Sequence, residues 1–417
     1  PIARPPLPFR PDRSPALPQP LLAMPHAQPD PRLATRFLAL KDFEAAARRH
    51  LPRPIFGYMA GAAEDNTSLR ANAEAFEDVA LVPRVLVNVA ERQQAVSLFG
   101  RLYASPFGIA PMGLSALSAY RGAIVQARAA AAANIPMILS GTSLIPMEEV
   151  IAAAPDTWFQ AYLPGDNARI DALIDRAARA GFRTLVVTVD IPVNANRENN
   201  IRNGFSTPLK PSLRLAMDGL THPRWLIGTF ARTLLRHGMP HFENSFAERG
   251  APILSASVLR DFSARDHFSW PHIARIRERW QGHLVVKGIL SPADAALAEE
   301  TGVDGIIVSN HGGRQLDGAV APLRMLEEIV SATALPVMID SGFRRGSHVL
   351  KALALGARLA FVGRPFGYAA AVAGEAGVSH AIGLLASEID RDMGMLGTRT
   401  CAEVTKACLR MPGAARS

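Results

Sequence analysis

The residues best suited to chemistry form one stretch, Ser309-Asn310-His311-Gly312-Gly313-Arg314-Gln315-Leu316-Asp317, directly after the apolar run Gly305-Ile306-Ile307-Val308. A short apolar run bounded by turn residues reads as a buried strand, so this stretch is what a strand end would present to a site. His311 and Arg314 stand three apart with two glycines between them. That spacing lets an imidazole, which exchanges protons near neutral pH, and a guanidinium, which forks onto carboxylate or phosphate, approach the same small anion. Alone, the stretch reads more readily as a glycine turn with a capping histidine. The other strand ends must decide.

Those ends come with a rhythm. From residue 105 onward, apolar runs alternate with Ala-rich helical stretches. Strands are predicted at 107–110, 136–139, 158–162, 184–189, 283–286, 305–308, 336–339 and 359–362. Helices are predicted near 121–133, 147–154, 167–180, 270–280, 291–301, 322–331, 345–355 and 377–392. Strand-helix units in series imply parallel strands with crossover helices. Eight of them predict a closed (β/α)8 TIM barrel, of the α/β class. The competing doubly wound sheet would carry G-x-G-x-x-G after its first strand, and that fingerprint is absent.

Chemistry in such a barrel gathers at the C-terminal strand ends. In order these read Pro111-Met112-Gly113, Ser140, Gln160 with Tyr162, Thr188 with Asp190 and Arg197, Lys287, Ser309 with His311, Asp340 with Gly342 and Arg344, and Gly363-Arg364. Bringing so many charges to one mouth costs several kcal/mol unless partners or ligands meet them. The ends of strands seven and eight are the usual barrel phosphate site. There the N–H groups of Gly342, Gly363 and Arg364 cradle a phosphate, and Arg344 and Arg364 add charge. Lys287, Gln160, Thr188 and Ser140 are donors suited to a ring with carbonyl and nitrogen acceptors, such as a flavin.

Composition narrows the rest. Hydrophobic residues make up 48% and charged residues 20%, enough for a large core. The only cysteines, Cys401 and Cys408, exclude a disulfide scaffold or a Cys-based zinc site, and no metal site is expected. Net charge is +8 without one dense basic block, which argues against nucleic-acid binding. No uncharged apolar stretch of about 18 residues is found, so no membrane-crossing helix is expected. Residues 1–40, rich in Pro, Arg and Ala, read as a disordered tail or, in part, as sequence upstream of a start near Met24. Folded structure is predicted from Lys41 to the end, with the barrel from about 105. A helix over 41–50, a second helical run through Phe76 and an extended segment at 83–87 precede it.

Residues 191–269 break the rhythm, with an insertion placed at about 205–268. Its 209–240 segment carries Lys210, Arg214, Arg224, Arg232 and Arg236 around Trp225-Leu226-Ile227-Gly228-Thr229-Phe230. The residues fit equally a lid with a solvated basic face and a segment lying on an anionic bilayer.

Taken together, the 309–317 stretch, Asp340-Ser341-Gly342-Phe343-Arg344-Arg345-Gly346, Lys351-Ala352-Leu353-Ala354-Leu355-Gly356-Ala357, Thr188-Val189-Asp190 and Phe159-Gln160-Ala161-Tyr162 resemble the FMN-dependent 2-hydroxy-acid oxidases and dehydrogenases. The resemblance runs from about Lys41 to Arg399. His222-Pro223-Arg224-Trp225 and Arg236-His237-Gly238-Met239-Pro240 are most similar to its membrane-associated (S)-mandelate dehydrogenase branch, which tips the insertion toward the membrane. The resemblance implies FMN as cofactor and a small 2-hydroxy acid, such as mandelate or lactate, as substrate. It implies His311 as base, Asp190 as the carboxylate behind it, and Arg314, Arg197 and Tyr58 on the substrate carboxylate, with Tyr162 facing the substrate oxygen. It places Lys287, Gln160, Thr188, Ser140, Ser309, Pro111, Met112 and Gly113 around the flavin ring, Asp340 on the ribityl chain, and Arg344, Gly363 and Arg364 on the phosphate. It further implies transfer of electrons to a membrane quinone, a cytoplasmic enzyme peripheral on the inner membrane face, and a homo-oligomer, by analogy a tetramer. The alternative within the family is an oxidase that reduces oxygen to hydrogen peroxide. Three positions depart from the common pattern: Met112, Asn196-Arg197-Glu198 in place of a double basic pair, and Met59-Ala60-Gly61-Ala62 after Tyr58. The small Gly113 is similar to dehydrogenase rather than oxidase members, and the small Thr142 leaves room for an aryl or longer substrate.

Overall fold

Each apolar run becomes a strand that meets no water, because helices cover one side and neighbouring strands the other. The computed structural model describes residues 30–256 and 265–411. Its barrel strands are β1 (Phe107–Ile109), β2 (Ile138–Ser140), β3 (Trp158–Ala161), β4 (Thr184–Thr188), β5 (His283–Ile289), β6 (Gly305–Val308), β7 (Val337–Ile339) and β8 (Leu359–Val362). They form one parallel sheet in the order β1-β8-β7-β6-β5-β4-β3-β2. A parallel bridge between Ile109 and Met137 closes the circle. The predicted (β/α)8 barrel is what the chain forms.

Alternation along the strands sorts the core in two. Ile138, Trp158, Val186, Val285, Ile307, Met338, Leu359 and Phe361 fill the barrel's interior. Their neighbours Leu139, Phe159, Leu185, Val187, Val286, Ile306, Val308 and Val362 pack outward under the helices. A strand buried on both faces therefore reads as a continuous apolar run.

The lower end of the barrel is closed by a hairpin that the sequence reading missed. Strands Val96–Leu98 and Arg101–Tyr103 pair antiparallel around Phe99-Gly100. Both turn residues have positive φ, 51° and 72°, as a two-residue hairpin turn requires. The Phe99 ring stacks on His283 at 4.7 Å and lies 5.6 Å from Trp158.

Other expectations need correction. Structure begins before Lys41: helix Pro31–Arg36 is capped by Asp30, and Phe37 stacks on Phe43 at 4.2 Å. The expected tail up to residue 29 lies outside the described residues. Residues 83–87 form no strand; the short strand there is Ala80–Leu81, paired with Leu409–Arg410. The predicted 377–392 helix is part of a longer one, Arg364–Leu396, bent at Ala373–Gly374. By length and composition that helix resembles a membrane span, but Glu375 and Glu388 interrupt it and 56% of its most apolar window is buried inside the fold. It packs instead over helices Leu40–His50 and Gly122–Ala132.

The insertion after β4 carries helices Glu198–Arg202, Leu213–Leu220, Pro223–Trp225 and Arg232–His237, the last two joined by a π-helical turn over Leu226–Ala231. Trp225 anchors it: the ring is buried, and its Nε1–H donates to the carbonyl of Leu117 at 2.6 Å. Arg232 lies over the Tyr120 ring at 3.9 Å.

Candidate active site

His311 sits just past β6 in the left-handed region, at φ 58°. The turn exists because Gly312 and Gly313 follow it at φ 69° and 75°. A Cβ on Gly313 would stand 2.6 Å from the backbone nitrogen of Leu69. Helix Thr67–Glu77 holds the loop from the other side. Asp317 accepts N–H bonds from Asp65, Thr67 and Ser68 at 3.1, 3.1 and 2.8 Å. Asn72 and Asn310 exchange two amide bonds at 2.8 and 2.7 Å.

The imidazole Nδ1 lies 2.9 Å from Asp190 Oδ1 and 3.2 Å from Oδ2. Burial pushes the His311 pKa below its ordinary value, with Asp190 opposing. Burial also resists ionisation of Asp190, but the His311 ring and Lys287 hold its pKa below the usual carboxylate value. The pair is therefore an ionised Asp190 accepting Nδ1–H from a neutral ring, which leaves the Nε2 lone pair for the cavity. Tyr162 Oη is 3.4 Å from that nitrogen. Gly288, at φ 113°, permits the close passage of β5: a Cβ there would lie 2.7 Å from Asp190 Cβ.

The cavity at this mouth has a volume of about 530 Å³. Of the residues predicted for the site, Tyr58, Pro111, Met112, Gly113, Tyr162, Thr188, Arg197, Lys287, His311, Arg314, Asp340, Gly342, Arg344, Gly363 and Arg364 line it. Asp190, Ser140, Gln160 and Ser309 stand one layer behind. Ser309 Oγ accepts from Lys287 Nζ at 2.7 Å and from the His311 N–H at 3.0 Å. Lys287 is almost fully buried and pairs with Asp340 at 2.9 Å. Burial would strip its proton, yet Asp340 and Asp190 raise its pKa above the ordinary lysine value, so it is a cation.

Five arginines line this cavity, and the four predicted for the site are anchored on neutral groups. Arg314 Nη1 donates to the carbonyls of Tyr58 and Gly61 at 2.8 and 2.7 Å, with its guanidinium over the Tyr58 ring at 4.9 Å. Arg197 Nε donates to the Arg314 carbonyl at 3.0 Å and Nη2 to Gln315 Oε1. Arg364 donates to the carbonyls of Met59, Gly61 and Gly312, and Arg344 to that of Phe343. Burial, then the charge of Arg197, depresses Arg314 to about 10. Burial, then Arg314, depresses Arg364 to about 9. Among the described residues no carboxylate is hydrogen-bonded to these half-buried guanidiniums, and such a cluster marks a place built for anions brought from outside.

Several lining residues were not foreseen: Gln315, Ile191, Val193, Asn200, Ile201, Phe205, Arg265 and Ser341. Gln315 stood in the leading motif and could have been chosen. Phe205, stacked on Tyr58 at 4.4 Å, and Arg265, over the Tyr162 ring at 5.3 Å, come from the insertion, where no periodicity marks an inward face.

Residues 47–411 match the family model described as FMN-dependent dehydrogenase. The chain belongs to the FMN-dependent dehydrogenase family. Within it, the chain is 41% identical to an L-lactate dehydrogenase of Ectopseudomonas mendocina (strain ymp) over 89% of its own length and 98% of the relative's. It is 35% identical to (S)-mandelate dehydrogenase of Pseudomonas putida, over 88% and 91% of the two chains. Among solved structures, the crystal structure of the monotopic membrane protein (S)-mandelate dehydrogenase superposes with a TM-score of 0.81 at 34% identity, covering 90% of this chain and 99% of that one.

The site's chemistry fits the family's cofactor. Gln160 Nε2 and Thr188 Oγ1 are buried at strand ends without a hydrogen-bond partner, a state that costs about 1–3 kcal/mol per group unless a ligand meets it. Thr188 is the register partner of the Lys287 cation, and the half-buried Arg344 and Arg364 stand at the strand-seven and strand-eight ends where barrels hold phosphates.

Proposed function

We propose that this enzyme oxidises an (S)-2-hydroxy acid to the 2-oxo acid and passes the electrons to a membrane quinone. One juxtaposition carries the reading: a carboxylate-backed neutral histidine, His311, shares its cavity with Arg197 and Arg314, both anchored on neutral groups among the described residues. The two guanidiniums and Tyr58 hold the substrate carboxylate. This brings the α-carbon to His311, whose Nε2 takes a proton at the carbinol while Asp190 stabilises the imidazolium formed. Tyr162 bonds the carbinol oxygen. Positioning and electrostatics carry the rate.

FMN, when bound, supplies the two-electron acceptor. Pro111, Met112, Gly113, Ser140, Gln160, Thr188 and Lys287 would hold its ring, with Ser309 supporting Lys287. Asp340 would hold the ribityl chain, and Gly342, Arg344, Gly363 and Arg364 the phosphate. Lys287 offsets negative charge at the ring.

The substrate class follows from the relatives, named for L-lactate and (S)-mandelate. The small Thr142, with Leu117, Ile191 and Phe205, gives the cavity an apolar side suited to alkyl or aryl side chains. The insertion supports peripheral attachment to an anionic bilayer. Leu213, Met217, Leu220, Ile227 and Leu235 are exposed among Lys210, Arg214, Arg224, Arg232 and Arg236. The similar (S)-mandelate dehydrogenase structure is that of a monotopic membrane protein.

The deciding experiment is anaerobic addition of a panel of 2-hydroxy acids to the FMN-loaded enzyme. Bleaching of the flavin by the (S) forms, with turnover on quinone far faster than on oxygen, is expected. A loaded enzyme that no 2-hydroxy acid bleaches sinks the reading, and equal turnover on oxygen with peroxide formed replaces it with the oxidase reading.

A further inference from the structure

We infer that Gln315 is a positioning residue whose neutral amide keeps Arg197 and Arg314 available to an outside carboxylate, and that it thereby sets the enzyme's preference for acids over uncharged analogues. This rests on the 2-hydroxy-acid reading above.

Gln315 lines the cavity immediately after Arg314. Its Oε1 accepts from Arg197 Nη2, and its Nε2 donates to the main-chain carbonyl of Asp190 at 3.1 Å. One side chain thus joins the guanidinium that grips one end of the substrate to the residue that backs the base at the other end. Only a primary amide does both, since it alone among neutral side chains of this length pairs a carbonyl acceptor with an N–H donor.

Neutrality is the second half. Two guanidiniums side by side repel, and fold interiors commonly relieve such repulsion with a carboxylate. Here the work falls to the Gln315 amide and to the carbonyls of Arg314, Tyr58 and Gly61. A dipole holds each guanidinium by one edge without cancelling its charge. A glutamate at 315 would fit the same space, satisfy Arg197 as an ion pair and oppose both the Asp190 carbonyl and an arriving carboxylate.

The test uses FMN-loaded wild type, Gln315→Glu and Gln315→Met, each checked for flavin content and melting temperature. Dissociation constants for pyruvate, phenylglyoxylate and their primary amides are read from the flavin absorbance spectrum, and KM and kcat are measured with the matching hydroxy acids. In Gln315→Glu the acids should weaken about 30-fold or more and the amides less than about threefold, with KM rising and kcat nearly kept, as expected for losing a charge-assisted contact. Gln315→Met, which keeps the volume and removes both bonds, should weaken the acids about tenfold. An unchanged acid-to-amide ratio in Gln315→Glu overturns the inference. Should that variant lose FMN, Gln315→Met decides alone, and acid affinity within about threefold of wild type overturns it. A wild type that favours neither acid over its amide refutes the 2-hydroxy-acid reading itself.

Discussion

Arginine does two different jobs in two regions of this molecule. At the barrel mouth Arg314, Arg344 and Arg364 are half-buried, anchored on carbonyls and pushed to lower pKa values by desolvation. On the insertion Arg214, Arg224 and Arg236 stand in solvent among exposed Leu213, Met217, Ile227 and Leu235. The first set stores the cost of desolvation and recovers it only when an anion of the right shape arrives, so its geometry matters more than its charge. The second set is fully hydrated and acts as a diffuse field, so its charge matters more than its geometry. Substitutions should separate the two.

The largest effect belongs to the group the mouth arginines serve. His311→Gln is expected to lower turnover about 10²–10⁴-fold while FMN content stays at wild-type level; near-native flavin reduction by substrate would break the assignment. Next, Arg314→Lys keeps the charge and loses the fork. A fall in kcat/KM of about 10–100-fold is expected, and unchanged kinetics would mean that the mouth, like the insertion, reads charge alone.

The pH profile tests the buried pair. His311 must be neutral to take a proton, and burial sets its pKa below the ordinary 6.5. The acid limb of kcat/KM should therefore lie below pH 6.5, with activity full above it and lost as protonation occupies Nε2. Asp190→Asn removes the influence that raises the His311 pKa, so the limb should move further to acid as turnover falls; a limb moved toward neutrality would contradict the pairing. The smallest effect is expected outside. Arg224→Gln and Arg236→Gln should each weaken binding to anionic vesicles about fivefold, at roughly 1 kcal/mol per charge. Salt should erase the difference, and turnover with a soluble dye should not change. A loss of dye-linked turnover would show that the insertion acts on the site as well.

The same contrast explains what the sequence could disclose. Strand ends were legible because a buried parallel strand is an unbroken apolar run and its end is marked by the first polar residues, as at Val308-Ser309 and Ile339-Asp340. Asp190, Lys287 and His311 were found this way, although only the structure brings Nδ1 onto Asp190. Phe205 and Arg265 were invisible because nothing local distinguishes an inward-facing insertion residue from a solvated one. The Phe99 hairpin was missed because its strands are three residues each, too short for alternation to register. The helix at Pro31–Arg36 was missed because proline and arginine dominate it, and its anchor, the contact of Phe37 with Phe43, is tertiary.

That hairpin has a consequence for stability. Phe99 packs on His283 and Trp158 at the end of the barrel away from the site, so Phe99→Ala should lower the melting temperature and leave substrate affinity unchanged.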